Sequence, residues 1–125
     1  VTPATLRSTL AALLAGQLGT YTTPPSSNPP AALYVGNPPS DWRATGLEVI
    51  ISATPEFATE PLHQHTSVGT ETPVRFVAHG EAAQAALTTA VTRVSQRFLT
   101  SNPQPIPPNE SVGIPAQVIL RIRSN

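Results

Sequence analysis

The most reactive set of side chains in this sequence is its three histidines and the carboxylates nearest them. His63-Gln64-His65 sets two imidazoles two residues apart. In an extended segment such residues point the same way and can share one Zn²⁺, with Glu56, Glu60 or His79 completing the ligand set. Nothing else in the chain reinforces that set. There is no cysteine and no HExxH helix, so the simpler reading makes these polar loop histidines. Serine hydrolysis has no GxSxG elbow to stand on, and His79 sits at a strand end with no Asp near it in sequence. No glycine-rich signature is available to cradle phosphate. The residues point away from an enzyme, and they name no catalytic group, no cofactor and no resident metal.

The 125 residues suffice for one domain, 1–125, with a single modest core. Seven arginines, with no lysine, balance seven acidic residues, so no basic field exists to hold nucleic acid by counterion release. No apolar run is long enough to span a membrane and no basic-then-apolar leader is present, which predicts a soluble protein with no membrane partner. Only 11% of residues are charged while 39% are hydrophobic, so the solvated surface must be built from Thr, Ser, Asn, Gln and Pro. A near-neutral surface of that kind tends to associate, as suits a subunit packed among copies or partners.

The elements that would position any site follow from periodicity. Thr2-Pro3 is a helix start, Leu6, Leu10, Leu13, Leu14 and Leu18 recur at helical spacing, and Gly19 is a stop, which predicts a helix over 3–18. Pro24, Pro25, Pro29 and Pro30 make 20–30 a loop. A short strand at 32–35 precedes one at 46–54, with Leu47, Val49, Ile51 and Ala53 on one face and Glu48, Ile50 and Ser52 on the other. Residues 55–72 read as a long polar connection, a projecting arm that touches another subunit. Alternation returns over 73–79, with Val74, Phe76 and Ala78 facing the core. Ala83, Leu87, Ala90, Val91, Val94 and Phe98 form the buried stripe of a second helix opening at Gly80-Glu81. A proline-rich stretch at 100–115 leads to a last strand over 116–123, with Val118, Leu120 and Ile122 on one face. The expected fold is α/β of the α+β kind, a mostly antiparallel sheet of about four strands packed by two helices in the order α-β-β-β-α-β.

The opposite sheet face carries Ile50, Val77 and Ile119 among Glu48, Arg75, Arg121 and Arg123. Apolar residues on a face normally left to water imply that something covers it. Arg93 and Arg97, one turn apart near the end of the second helix, are either solvated helix-end charges or intersubunit partners for an acid. Tyr34 and Trp42 hint at an exposed aromatic binding site, although Trp42 reads more simply as a packing anchor.

Leu6-Arg7 in the first helix, the strand Gly46-Leu47-Glu48-Val49-Ile50-Ile51, the strand Val74-Arg75-Phe76-Val77-Ala78-His79-Gly80, the Ala-rich helix and the terminal strand together resemble the tail terminator (minor tail protein U) family of long-tailed bacteriophages. The resemblance covers nearly the whole chain through element order and hydrophobic pattern, with no diagnostic motif. It implies an α/β subunit, made in the host cytoplasm and carried in the virion at the head-proximal end of the tail. There a homo-hexameric ring caps the tail tube protein, ends elongation and meets a neck or head-completion protein. A neck connector and a small binding domain are the alternatives. A ring needs one patch to meet a different patch on the next copy. The outer sheet face and the 55–72 arm are the expected patches, with Ile50, Phe57, Leu62 and Ile119 as apolar anchors.

Overall fold

A computed structural model describes residues 3–22, 31–39, 42–54, 56–62, 65–101, 103–107 and 116–124; for Pro3, 56–62, 65–70 and Ser124 the description is of the backbone. Helix α1 spans Pro3–Leu13. Strands β1 (Thr20–Thr22), β2 (Leu33–Val35), β3 (Arg43–Ile51), β4 (Glu56–Leu62) and β5 (His65–His79) follow, then α2 (Ala83–Arg97), β6 (Gln104–Ile106) and β7 (Ala116–Ser124). The class is α+β, as the alternating and helical patterns together require. The strand count and order need correction, because β1, β4 and β6 arise within segments read as loops, giving a seven-stranded sheet.

Each added strand has a local reason. β6 contains Pro105 but occupies a sheet edge, next to β7 alone, where a missing N–H costs no ladder bond. β1 is three residues long, too short to display a period. β4 pairs antiparallel with the first half of β5, from Glu56↔Glu71 to Leu62↔His65, so the expected 55–72 loop is instead a two-stranded ribbon continuous with the sheet. Since β7 pairs β5 only from Thr70 onward, β4 is the one partner strand of residues 65–69 among the described residues.

β5 is the shared strand. β7 runs along one edge of it, while β3 and then β4 share the other. The changeover falls at Pro73, whose carbonyl accepts the Ser52 N–H at 2.9 Å. In a strand the N–H and C=O of one residue face the same edge, so the donor Pro73 lacks would only have returned the bond from Ser52, one residue past the last β3 pair. A proline in a central strand is thereby tolerated.

Register puts the expected apolar face together: Leu47 lies beside Ala78, Val49 beside Phe76 beside Val118, and Ile51 beside Val74 beside Leu120. Both helices cover this face. Leu6, Leu10 and Leu14 of the first helical segment and Ala83, Leu87, Ala90 and Val94 of α2 complete the core, with Val91 and Phe98 packed at its margin. α1 stops five residues short of the expected end. The Leu14 N–H still bonds the Leu10 carbonyl, but Gly16 then takes φ +87°, the left-handed conformation that terminates helices.

Gly19, read as that stop, does something else. It crosses β3 at Gly46, its N–H bonds the Leu47 carbonyl at 2.8 Å, and a Cβ there would lie 1.7 Å from the Thr45 carbonyl oxygen. The Gly19→Ala variant must push β1 off β3, and we expect it to lose about 1–3 kcal/mol in urea unfolding, as overpacked sites do. Alanine at Gly16, where nothing lies within 4 Å, meets only the cost of its backbone conformation, so it should lose less.

Candidate functional site

The outer face of the sheet divides into a closed half and an open half. In the closed half, Glu48 lies opposite Val77 on β5, which makes His79 its diagonal neighbour. The His79 Nε2–H donates to Glu48 Oε1 at 2.8 Å and the Tyr21 hydroxyl donates to Oε2 at 2.7 Å. Glu48 is 8% exposed and Tyr21 1%. The Tyr21 ring meets Trp42 at 5.4 Å and Tyr34 at 6.3 Å, and those two meet edge to face at 5.6 Å, so the three rings pack on one another. Tyr34 and Trp42 thus serve as packing for Tyr21.

Burial by itself raises the Glu48 carboxyl, but the hydrogen bonds from His79 and Tyr21 outweigh it and hold the group below its ordinary range. Burial first, then the adjacent carboxylate, pushes the Tyr21 phenol well up, so it remains a donor. With a donor on each oxygen, Glu48 works as an anchor tying β1 and β5 to β3. The sequence offered no signal for this group, because Tyr21 and Glu48 are 27 residues apart and His79 lies 31 beyond Glu48.

The open half is a groove of about 480 Å³. Ile50 and Ile119 floor it, Gly36, Asn37, Ser52 and Thr54 wall one end, and Pro73, Arg75 and Arg121 complete it. Arg75 is exposed and stands in register between Ile50 on β3 and Ile119 on β7. Arg121 donates to Gln104 Oε1 at 2.7 Å. Among the described residues the lining holds two arginines and no acid. Four residues expected at an interface, Ile50, Arg75, Ile119 and Arg121, are therefore brought together in one concavity.

The other expected residues are placed differently. Val77 is 5% exposed and already covered within the chain. Arg123 pairs with Glu71 across β7 and β5 at 3.3 Å. Arg93 is half-buried and its guanidinium donates to the Leu13 carbonyl at 3.3 Å, satisfying an end-of-helix acceptor on α1. Arg97 is exposed and lies over the Phe98 ring at 5.1 Å. Phe57 and Leu62 stand on β4, and their side chains lie outside the described residues.

The zinc alternative loses one ligand to geometry. His65 and His79 sit at opposite ends of β5, a separation on the order of 46 Å for 14 extended residues, so they cannot share an ion within one chain. His63 and Gln64 lie outside the described residues, among which no group of three ligating side chains converges. The described helices include none long and apolar enough to cross a membrane. Comparison with known proteins finds no matching family model, no similar curated protein and no matching solved structure.

The sign of the Glu48 shift fixes a pH dependence. A carboxyl depressed in the folded state gives stability that is fully present above its unfolded value of 4.5 and is lost as pH falls through the lower folded value. The Glu48→Gln variant should be less stable than the parent by about 2 kcal/mol near neutral pH, as for a hydrogen-bonded charged group. That gap should shrink as urea unfolding is repeated below pH 4.5. Tyr21→Phe, which leaves the His79 bond intact, should cost about 1 kcal/mol.

Proposed function

We propose that this chain is a ring-forming structural subunit of the phage tail terminator kind, capping a tail tube and offering the far side of its ring to a neck or head-completion protein. One observation carries the reading. Both helices pack on one sheet face, and among the described residues the other face holds an open groove with an isoleucine floor and an exposed, centrally placed arginine. A neutral protein with few charges gains from covering such a surface, and a partner of the same kind is always at hand.

The ribbon supports the same reading. β4 and residues 65–69 run past the end of β7, and a two-stranded ribbon is marginal by itself in water, so contact with a neighbour would stabilise it. One patch from the sheet face and a different patch from the ribbon meet the requirement for a heterologous contact that closes after a fixed rotation. A subunit landing on an existing tube gains lateral and axial contacts together, which favours assembly there over free rings. The work is mechanical, with no turnover, in the virion. A neck connector would use the same surfaces and differ in its neighbour, the portal or its adaptor in place of the tube.

The Ile119→Asp variant places a carboxylate on the groove floor without touching the core. It should remain a folded monomer by circular dichroism and light scattering, and it should form no rings in negative-stain micrographs under conditions where the parent does. Rings in this variant would remove the groove from the assembly interface.

A further inference from the structure

Exposed sheet edges invite strand addition, and most edges of this sheet are guarded against it. β1, β2 and β6 are only three residues long. The Pro73 carbonyl bonds the Ser52 N–H, so odd-numbered residues of β5 direct their backbone groups toward β3 and β4, and even-numbered ones toward β7. Pairing then turns the backbone groups of Phe57, Thr59 and Pro61 to the outer edge of β4, where Pro61 offers no donor. Pro105 does the same for the outer edge of β6.

One stretch has none of these guards. β7 ends at Ser124, opposite Thr70, and beyond it residues 65–69 (His-Thr-Ser-Val-Gly) have no partner strand on that edge among the described residues. They include no proline and no Asp, Glu, Lys or Arg, and their one-to-one register with β4 contains no bulge. The N–H and C=O of Thr66 and Val68 therefore point out of the sheet edge.

We infer that this edge pairs antiparallel with the same edge of a second copy, about a two-fold axis at Ser67. The contact goes beyond the ring reading and does not depend on it. Fit chooses the occupant. Between the end of β7 and the end of β5 the slot is five residues long, and residues 65–69 of a second copy are a strand of that length with the same unpaired edge. With Ser67 opposite Ser67, each Thr66 meets a Val68, and every outward backbone group on one copy finds its complement on the other. A shift toward the body would set Thr66 against Thr70, which already pairs with β7, and a shift the other way would carry Val68 past His65, where the strand ends. Parallel pairing would drive the partner's strand into β7. Antiparallel pairing sends the two bodies to opposite ends and merges two marginal ribbons into one sheet. It uses the edge of the ribbon, not its faces, so it is compatible with the ring contact.

Few bonds and little apolar area make the free pair weak, with a Kd on the order of 1 mM, so trapping is the way to see it. Ser67 faces its copy in a non-hydrogen-bonded pair with Cα atoms about 4.5 Å apart, within the span of a disulfide. The chain has no cysteine of its own. Under mild oxidation Ser67→Cys should form a symmetric disulfide dimer about tenfold faster than Thr59→Cys on the β4 edge. Val68→Pro removes an outward N–H and no bond to β4, so added to Ser67→Cys it should bring trapping down to the Thr59→Cys rate, with thermal melts showing that the fold is kept. In the parent at about 1 mM, the Thr66 and Val68 amide hydrogens should exchange several-fold more slowly than in dilute solution. Equal trapping at residues 59 and 67, trapping that survives Val68→Pro, or exchange at Thr66 and Val68 that is independent of concentration would overturn the pairing and leave the ring reading standing.

Discussion

The two helices among the described residues cannot cover both faces of the sheet, and the rest of the molecule depends on that limit. β5 is 15 residues long, about 50 Å when extended, while the 15 residues of α2 make a rod of about 22 Å. The helices are therefore spent on one face, over the half of β5 that β3 flanks. What they leave uncovered is treated in three ways. β1 and Trp42 shield the Glu48 side of the outer face, β6 lines the β7 edge, and the Ile50–Ile119 side stays open.

The closed half shows how a buried carboxylate is kept. Moving Glu48 out of water is costly in itself, and two donors from distant parts of the chain restore what solvation supplied. The aromatic rings around Tyr21 then hold one of those donors in place. No buried side-chain polar atom among the described residues lacks a partner. Arg93 extends the same economy to the helical layer, because its bond to the Leu13 carbonyl joins α2 to the end of α1. A charge read from sequence as a surface feature is in fact a tie between the two helices.

Legibility in the sequence followed element length. The nine-residue β3 and β7 and the 15-residue α2 have enough period to be read directly, and the core face derived from them is the one the register assembles. β1 and β6, three residues each beside or among prolines, passed as proline-rich loop, whereas the equally short β2 was legible because Leu33-Tyr34-Val35 is apolar throughout. The 55–72 segment hid its strands for another reason. Its Thr, Glu and Gly do not alternate in hydropathy, so nothing there displays the period of a strand. For the groove, outward alternation at Ile50, Arg75, Ile119 and Arg121 was a usable signal, while the wall at Gly36-Asn37 reads only as turn residues. The Tyr21–Glu48–His79 group was illegible, since it depends on a glycine crossing at residues 19 and 46 that brings remote segments into contact.

Pro73 gives this architecture a particular tolerance. On that edge Pro73 accepts one bond, from the Ser52 N–H, and it separates the β3 pairing on β5 from the β4 pairing, so the two strands hold their registers there independently. The connection between Ser52 and Glu56 joins the two pairings. Insertions or deletions there would leave both pairings in place and would alter only the wall of the groove formed by Ser52, Ala53 and Thr54. A lineage of such proteins would therefore be free to reshape the recognition surface by changing loop length while inheriting the sheet intact.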